Sequence, residues 1–240
     1  MKQGMDSGEC LVRFISYEDA VGKVFRPDGG TFCLNSTRYY QQRGYEEPNN
    51  QFFDRHENEV RLSKARMGIT ERSLVSCWVK SNQRRIDWPN WGEVSSERTV
   101  AILSTPKKVR VLIQGHLEWF IDLCPGRFEY GNVIYYSEGS PKNNFNSTNR
   151  AFFKHEKYRS QEEYRFALRL KPEEFDLTAL IFYVEPVEYV DSICVKSAKP
   201  EDIRDTEKRE KLHHLMSLAG GSRIPIEWCE QFVLNAVGMH

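Results

Sequence analysis

Gln161 and Glu163 stand two residues apart near the head of the stretch YRSQEEYRFALRL, residues 158–170. Alternation predicts a strand over 161–170. It places Tyr164, Phe166, Leu168 and Leu170 on one face and Gln161, Glu163, Arg165, Ala167 and Arg169 on the other. An amide and a carboxylate side by side at a strand entrance can grip a sugar hydroxyl and oppose a developing positive charge. The same Glu163 can instead pair with a neighbouring arginine on a half-exposed strand. A one-residue error in the strand's phase would exchange Glu163 for Glu162.

Two further positions could join such a site. Arg13 lies in CLVRFIS, residues 10–16, which is apolar on both faces and predicts a buried strand. A guanidinium there needs an anion, either a carboxylate of the protein or a phosphate gripped by two hydrogen bonds. Ser104–Thr105 ends a predicted strand and precedes Pro106. The hydroxyls can cap the helix that follows, or hold a catalytic carboxylate or a nucleotide.

Basic and aromatic residues offer a third chemistry. Arg84, Arg85, Trp88 and Trp91 share one loop, and Lys154 and Lys157 precede the 161–170 strand. Cations beside aromatic planes suit the backbone and bases of a nucleic-acid strand. The alternative is tryptophans packed under the loop and lysines in solvent.

The elements that must position these groups are short. Strands are expected at 10–16, 31–34, 72–79, 98–103, 127–136, 161–170, 177–184 and 190–195, by apolar runs and alternation between turn residues. Helical composition follows Ser16 over 17–24, and a helix carrying Arg38, Tyr39 and Tyr40 is expected after Asn35 or Ser36. Helical spacing recurs over 51–67. A longer helix is expected from Lys107 towards Leu123, and another over 200–218, opened by Pro200 and stopped by Gly220–Gly221. Short strands mixed with helices, with no repeat or linker, predict one α+β domain over 1–240. Its motif-bearing core spans about 11–170, and further strands and an edge helix fill 171–240.

Bulk composition narrows little. The 240 residues are 40% hydrophobic and 28% charged, with 34 Lys+Arg against 34 Asp+Glu, so net charge points to neither nucleic acid nor membrane. Six cysteines stand singly, with no C-x-x-C pair, and read as reduced, mostly buried thiols rather than zinc ligands. The polar start MKQGMDSGE lacks an apolar segment, and a cytoplasmic protein without a signal peptide or membrane span is expected. No G-x-S-x-G elbow, P-loop or H-E-x-x-H is present, and no metal is expected.

The order of the candidates carries a resemblance. Arg13 on the first strand, Ser104–Thr105 closing a middle strand and Gln161-x-Glu163 on a later one resemble the Arg, Ser-Thr-Ser, Gln/Glu-x-Glu signature of one class of ADP-ribosyltransferases. Pro106 replaces the third residue of the triplet. The resemblance implies an ADP-ribosyltransferase-like fold with short mixed and antiparallel strands. It implies NAD as the consumed substrate, Arg13 on its phosphate and Ser104 orienting Glu163. Glu163 would hold the nicotinamide ribose and its oxocarbenium-like transition state, and Gln161 would help choose the acceptor. A second resemblance covers about 11–170. SCW (Ser76, Cys77, Trp78), Trp91, TVAILST (99–105), GNVIYY (131–136), FFKH (152–155) and EEYR (162–165) are similar to a bacterial family of unknown function ending in F-x-K…E-x-E-Y-R. Here Gln161 replaces the first Glu, and a Phe-Asn-Asp-Pro stretch is absent.

These readings imply an enzyme acting at a ribosyl C–N bond. It would be an NAD-consuming ADP-ribosyltransferase or NAD glycohydrolase, in a bacterial toxin or anti-phage defence setting. Two alternatives stand beside it: a DNA glycosylase excising a modified base with the same carboxylate, and a non-catalytic nucleic-acid-binding module.

Overall fold

The structure, a computed structural model, describes residues 9–37, 73–81, 99–120, 127–137, 150–170, 176–196 and 200–228. The helices expected around Tyr39 and over 51–67, and the loop with Arg84, Arg85, Trp88 and Trp91, lie outside these residues.

In chain order the strands are β1 (Cys10–Ile15), β2 (Gly30–Ser36), β3 (Ser73–Ser81), β4 (Val100–Ser104), β5 (Arg127–Asn132) and β6 (Ile134–Tyr136). They continue with β7 (Phe153–His155), β8 (Glu163–Arg169), β9 (Ala179–Val184), β10 (Ser192–Val195) and β11 (Ile226–Trp228). The α-helices are α1 (Tyr17–Asp19), α2 (Pro106–Phe120) and α3 (Thr206–Gly221). Helices combine with strands paired both ways, so the architecture is α+β with mixed sheet. The chain divides into two compact units, one of Met1–Phe32, Lys80–Leu112 and Phe182–His240, the other of Cys33–Val79 and Ile113–Ile181.

In the first unit the strand order is β11-β10-β4-β1, with β10 and β11 parallel and the other pairs antiparallel. The apolar run of β1 buries Leu11, Val12, Phe14 and Ile15, as a strand covered on both faces requires. Ser16 caps α1, accepting the Asp19 N–H at 3.0 Å. A wider π turn over Ala20–Val24 then leads into buried Phe25. Gly30 is needed where the chain enters β2, because a Cβ there would meet the Val24 carbonyl oxygen at 2.2 Å.

The last helix starts later than its proline suggests. Pro200 opens a separate 3-10 turn, Pro200–Asp202. Asp205 is the true cap of α3, its side chain accepting the Lys208 N–H at 3.2 Å. A side-chain acceptor for an orphan N–H fixes a helix start more firmly than a proline's preset φ. Leu212, Leu215 and Ala219 form the helix's buried stripe.

In the second unit β8 runs between β3 and β5, antiparallel to both, and β2 pairs β3. The expected 127–136 strand is two strands, broken at Val133: β5 pairs β8, whereas β6 pairs β7 in parallel. The expected half-exposed face of β8 is also corrected. Glu163, Arg165 and Ala167 are buried as thoroughly as Tyr164, Phe166 and Leu168. Tyr164 and Phe166 pack among aromatic rings, with Phe166 stacked on Phe128 at 6.5 Å. Ala167 packs with Val75 and Ala151, the latter from the 3-10 turn Arg150–Phe152. A central strand covered on both sides loses the exposure that alternation alone implies.

No helix among the described residues is long and apolar enough to cross a membrane. The cysteines are less buried than expected. Of the four described, all free thiols, only Cys194 is buried; Cys10, Cys33 and Cys77 are half-buried.

Candidate functional site

Glu163 is the first residue of β8, and its surroundings come from four separate stretches of the second unit. Its backbone is clamped first. The Glu163 carbonyl accepts the Val133 N–H at 2.9 Å, and its own N–H donates to Tyr135 Oη at 2.9 Å. Both partners belong to GNVIYY, at and beyond the break between β5 and β6.

The carboxylate is then held by two cations. Lys154 Nζ on β7 lies 3.1 Å from Glu163 Oε2, and Arg165 Nη2 lies 2.9 Å from the same oxygen. Glu163 and Arg165 are two apart on one strand and so share a face. Arg165 also donates through Nη1 to the Ala151 carbonyl at 2.6 Å. Lys154 donates to Gln161 Oε1 at 2.7 Å. The Lys154 and Arg165 side chains are each 2% exposed, and that of Glu163 is 9%.

Gln161 does not reach Lys154 as a strand residue. It ends the 3-10 turn Glu156–Gln161, and Glu162 follows in the left-handed conformation with φ 43°. That single residue turns the chain from the helical turn into β8. It leaves Glu162 exposed, while Gln161 and Glu163 on either side are buried and meet the same ammonium. Glu163, not Glu162, is therefore the carboxylate of the cluster.

Burial would by itself raise the Glu163 carboxyl. The charges of Arg165 and Lys154, and their hydrogen bonds, outweigh it and bring the group down to about 2 from its ordinary 4.5. Glu163 is an anion at any physiological pH. Both cations bond Oε2, and among the described residues no hydrogen bond reaches Oε1. Burial pushes the nearby Tyr135 phenol well above its usual range, so it stays protonated.

Arg13, Ser104 and Thr105 belong to the first unit. Arg13 on β1 is half-buried and faces Ile102 of β4 across the ladder; Ser104 pairs with Leu11 in the same register. The positive charge of Arg13 acts on the buried Tyr189 hydroxyl, whose own burial raises it. Ser104 is buried and its hydroxyl donates to the Tyr189 carbonyl. Thr105 Oγ1 accepts the Lys108 N–H at 3.3 Å and caps α2, with Pro106 as first helical residue. Both hydroxyls thus have work within the protein.

Lys154, expected at the surface against a nucleic-acid backbone, is turned inward onto Gln161 and Glu163. Lys157 is exposed. The pairing of Glu163 with a neighbouring arginine, expected as the alternative to a catalytic role, is present with Arg165, on a buried rather than a half-exposed strand; Tyr135 was given no role. The i, i+2 spacing of Glu163 and Arg165 was the available signal for the first; nothing local marks the second. The segments SCW, GNVIYY, FFKH and EEYR meet here. Cys77 opposes Arg165 across β3 and β8, while Trp78 donates to Ser76 Oγ at 3.0 Å on the other face. No protein-family model, curated protein or solved structure matches this chain.

Proposed function

We propose that this protein cleaves a ribosyl C–N bond, with Glu163 as the transition-state carboxylate. In that step the C1′–N bond breaks and its electron pair leaves with the nitrogen base. The ribosyl group becomes an oxocarbenium ion; water or an acceptor hydroxyl then forms the C1′–O bond and gives up its proton to solvent. A fixed anion in a water-poor setting stabilises that cation without reorganising.

One observation carries the reading. Glu163 is held ionised through Oε2 by Lys154 and Arg165, and Oε1 accepts no bond among the described residues. Oε1 is the atom assigned to the ribose. Lys154 is a positioning residue that ties Gln161 to the same carboxylate, and Gln161 keeps the acceptor-side role. NAD is the first substrate to test, and a nucleotide within DNA is the second.

The test is product formation by the full chain. Nicotinamide release is followed with NAD, and abasic-site formation with single- and double-stranded DNA. Glu163→Gln removes the anion between two buried cations, so its thermal stability must be measured beside its activity. Glu163→Asp keeps the charge and withdraws the oxygen by one methylene. Turnover that falls at least about a hundredfold in a folded Glu163→Asp variant is expected. Absence of cleavage on both substrates, or wild-type turnover in folded Glu163 variants, overturns the assignment. Salt-sensitive DNA binding without turnover would instead mark a binding module.

A further inference from the structure

The 3-10 turn Glu156–Gln161 that delivers Gln161 also carries exposed Lys157 and Arg159, with half-buried His155 as its cap. His155 accepts the Lys157 N–H on Nδ1 at 3.2 Å, so its proton sits on Nε2. Lys157 is exposed, with Nζ 4.7 Å from the Tyr158 ring centroid. Arg159 is exposed and lies 5.7 Å from the Tyr135 ring centroid. Its Nε and Nη2 engage Glu156, and among the described residues no acceptor is bonded to Nη1. Likewise, no acceptor among the described residues is bonded to His155 Nε2 or Lys157 Nζ.

Each of the two tyrosines reaches the buried cluster as well. The Tyr158 ring that meets Lys157 also meets Lys154 Nζ, at 4.8 Å. Tyr135, beneath Arg159, accepts the Glu163 N–H. The exposed cations of this turn thus lie on two aromatic rings, one touching Lys154 and the other holding the Glu163 backbone N–H.

We propose that His155, Lys157 and Arg159 form a phosphate-binding rim of the Glu163 site. The substrate class is then a ribosyl phosphate, a nucleotide whose phosphate lies on this rim while its ribose meets Oε1. A bare nucleoside does not satisfy these donors. The exposed Arg159–Glu156 pair does not prevent this, because solvent screens it and leaves it easily exchanged. A phosphate oxyanion can accept from a guanidinium N–H and an ammonium at once. The inference rests on the Glu163 reading for the ribose end only; the phosphate end stands on the donors themselves.

The test is calorimetric titration of the full chain with ADP-ribose, with adenosine and with a short single-stranded oligonucleotide. ADP-ribose is expected to bind roughly tenfold or more tightly than adenosine. Lys157→Ala combined with Arg159→Ala should abolish that difference. Both residues are exposed, so the melting temperature should hold, and Lys157→Glu alone should act in the same direction. If the phosphate arrives within a nucleic acid, the oligonucleotide binds more tightly than ADP-ribose and weakens steeply with salt. Equal binding of ADP-ribose and adenosine, no binding of either phosphate-bearing probe, or an unchanged preference in the double variant overturns the rim. A preference that the double variant abolishes, in a protein that cleaves nothing, keeps the rim and removes the Glu163 reading.

Discussion

Lys154 and Glu163 face one another from β7 and β8, Nζ 3.1 Å from Oε2, with almost no water on either side chain. Neither charge would be tolerated there alone. Arg165 joins the carboxylate from its own strand, and Gln161 gives Lys154 a second acceptor. The four groups form one unit, and their energetic coupling can be measured.

Glu163→Leu should destabilise the protein by about 3–5 kcal/mol, since it leaves buried Lys154 and Arg165 without their carboxylate. Lys154→Met should cost less, because Arg165 still holds Glu163. The double variant strands less than the two singles together. Its cost should fall short of their sum by about 1–3 kcal/mol in urea denaturation. Additivity within about 0.5 kcal/mol would show that the two side chains do not interact in solution.

Acid should unfold the protein in a window set by Glu163. The folded carboxyl titrates at about 2 and an unconstrained one at 4.5. A depressed carboxyl adds stability that is fully present above the unfolded value. That stability is lost as pH falls through 4.5 towards 2. The loss is on the order of 3 kcal/mol. Denaturation midpoints measured at successive pH values should show this slope, and Lys154→Met should flatten it. A wild-type midpoint that does not move over this range would contradict the pairing.

Glu162 supplies a backbone test that leaves the charges of the cluster in place. Its φ of 43° suits glycine, and its side chain is exposed. Left-handed backbone costs an ordinary residue about 1–2 kcal/mol. Glu162→Gly should therefore leave stability unchanged or raise it by up to about 1 kcal/mol, and Glu162→Val should lower it. Thermal melts of both variants decide this. Marked destabilisation by glycine would mean that the turn into β8 is built differently.

The cap logic of the chain was readable locally. Ser16 and Thr105 hold the helix starts expected of them, because a hydroxyl two or three residues before an orphan N–H needs nothing distant. The doubly apolar run of β1 likewise declared a covered strand. Asp205 went unread because Pro200, a strong local signal, stood five residues ahead of it.

The site was legible only in part. Gln161 and Glu163 were marked by their types, and they do converge, but on Lys154 rather than as neighbours on one strand. The left-handed Glu162 that separates them carries no sequence mark, since glycine or asparagine would be the usual sign. Arg13 and Ser104, two apart in register on paired strands, lie in the other compact unit from Glu163.

What the amino-acid order fixed by itself was periodicity, capping and the identity of the ionisable groups, since each depends on residues within a turn of one another. Which charges meet was decided by the pairing of β3 and β5 with β8, and by β7 and the 150–152 turn, which bring Lys154 to Glu163 and the Ala151 carbonyl to Arg165. Burial removes water from both faces of that strand. Glu163 then needs Lys154 and Arg165, and pairings across sequence gaps arise from tertiary packing, not from local preference.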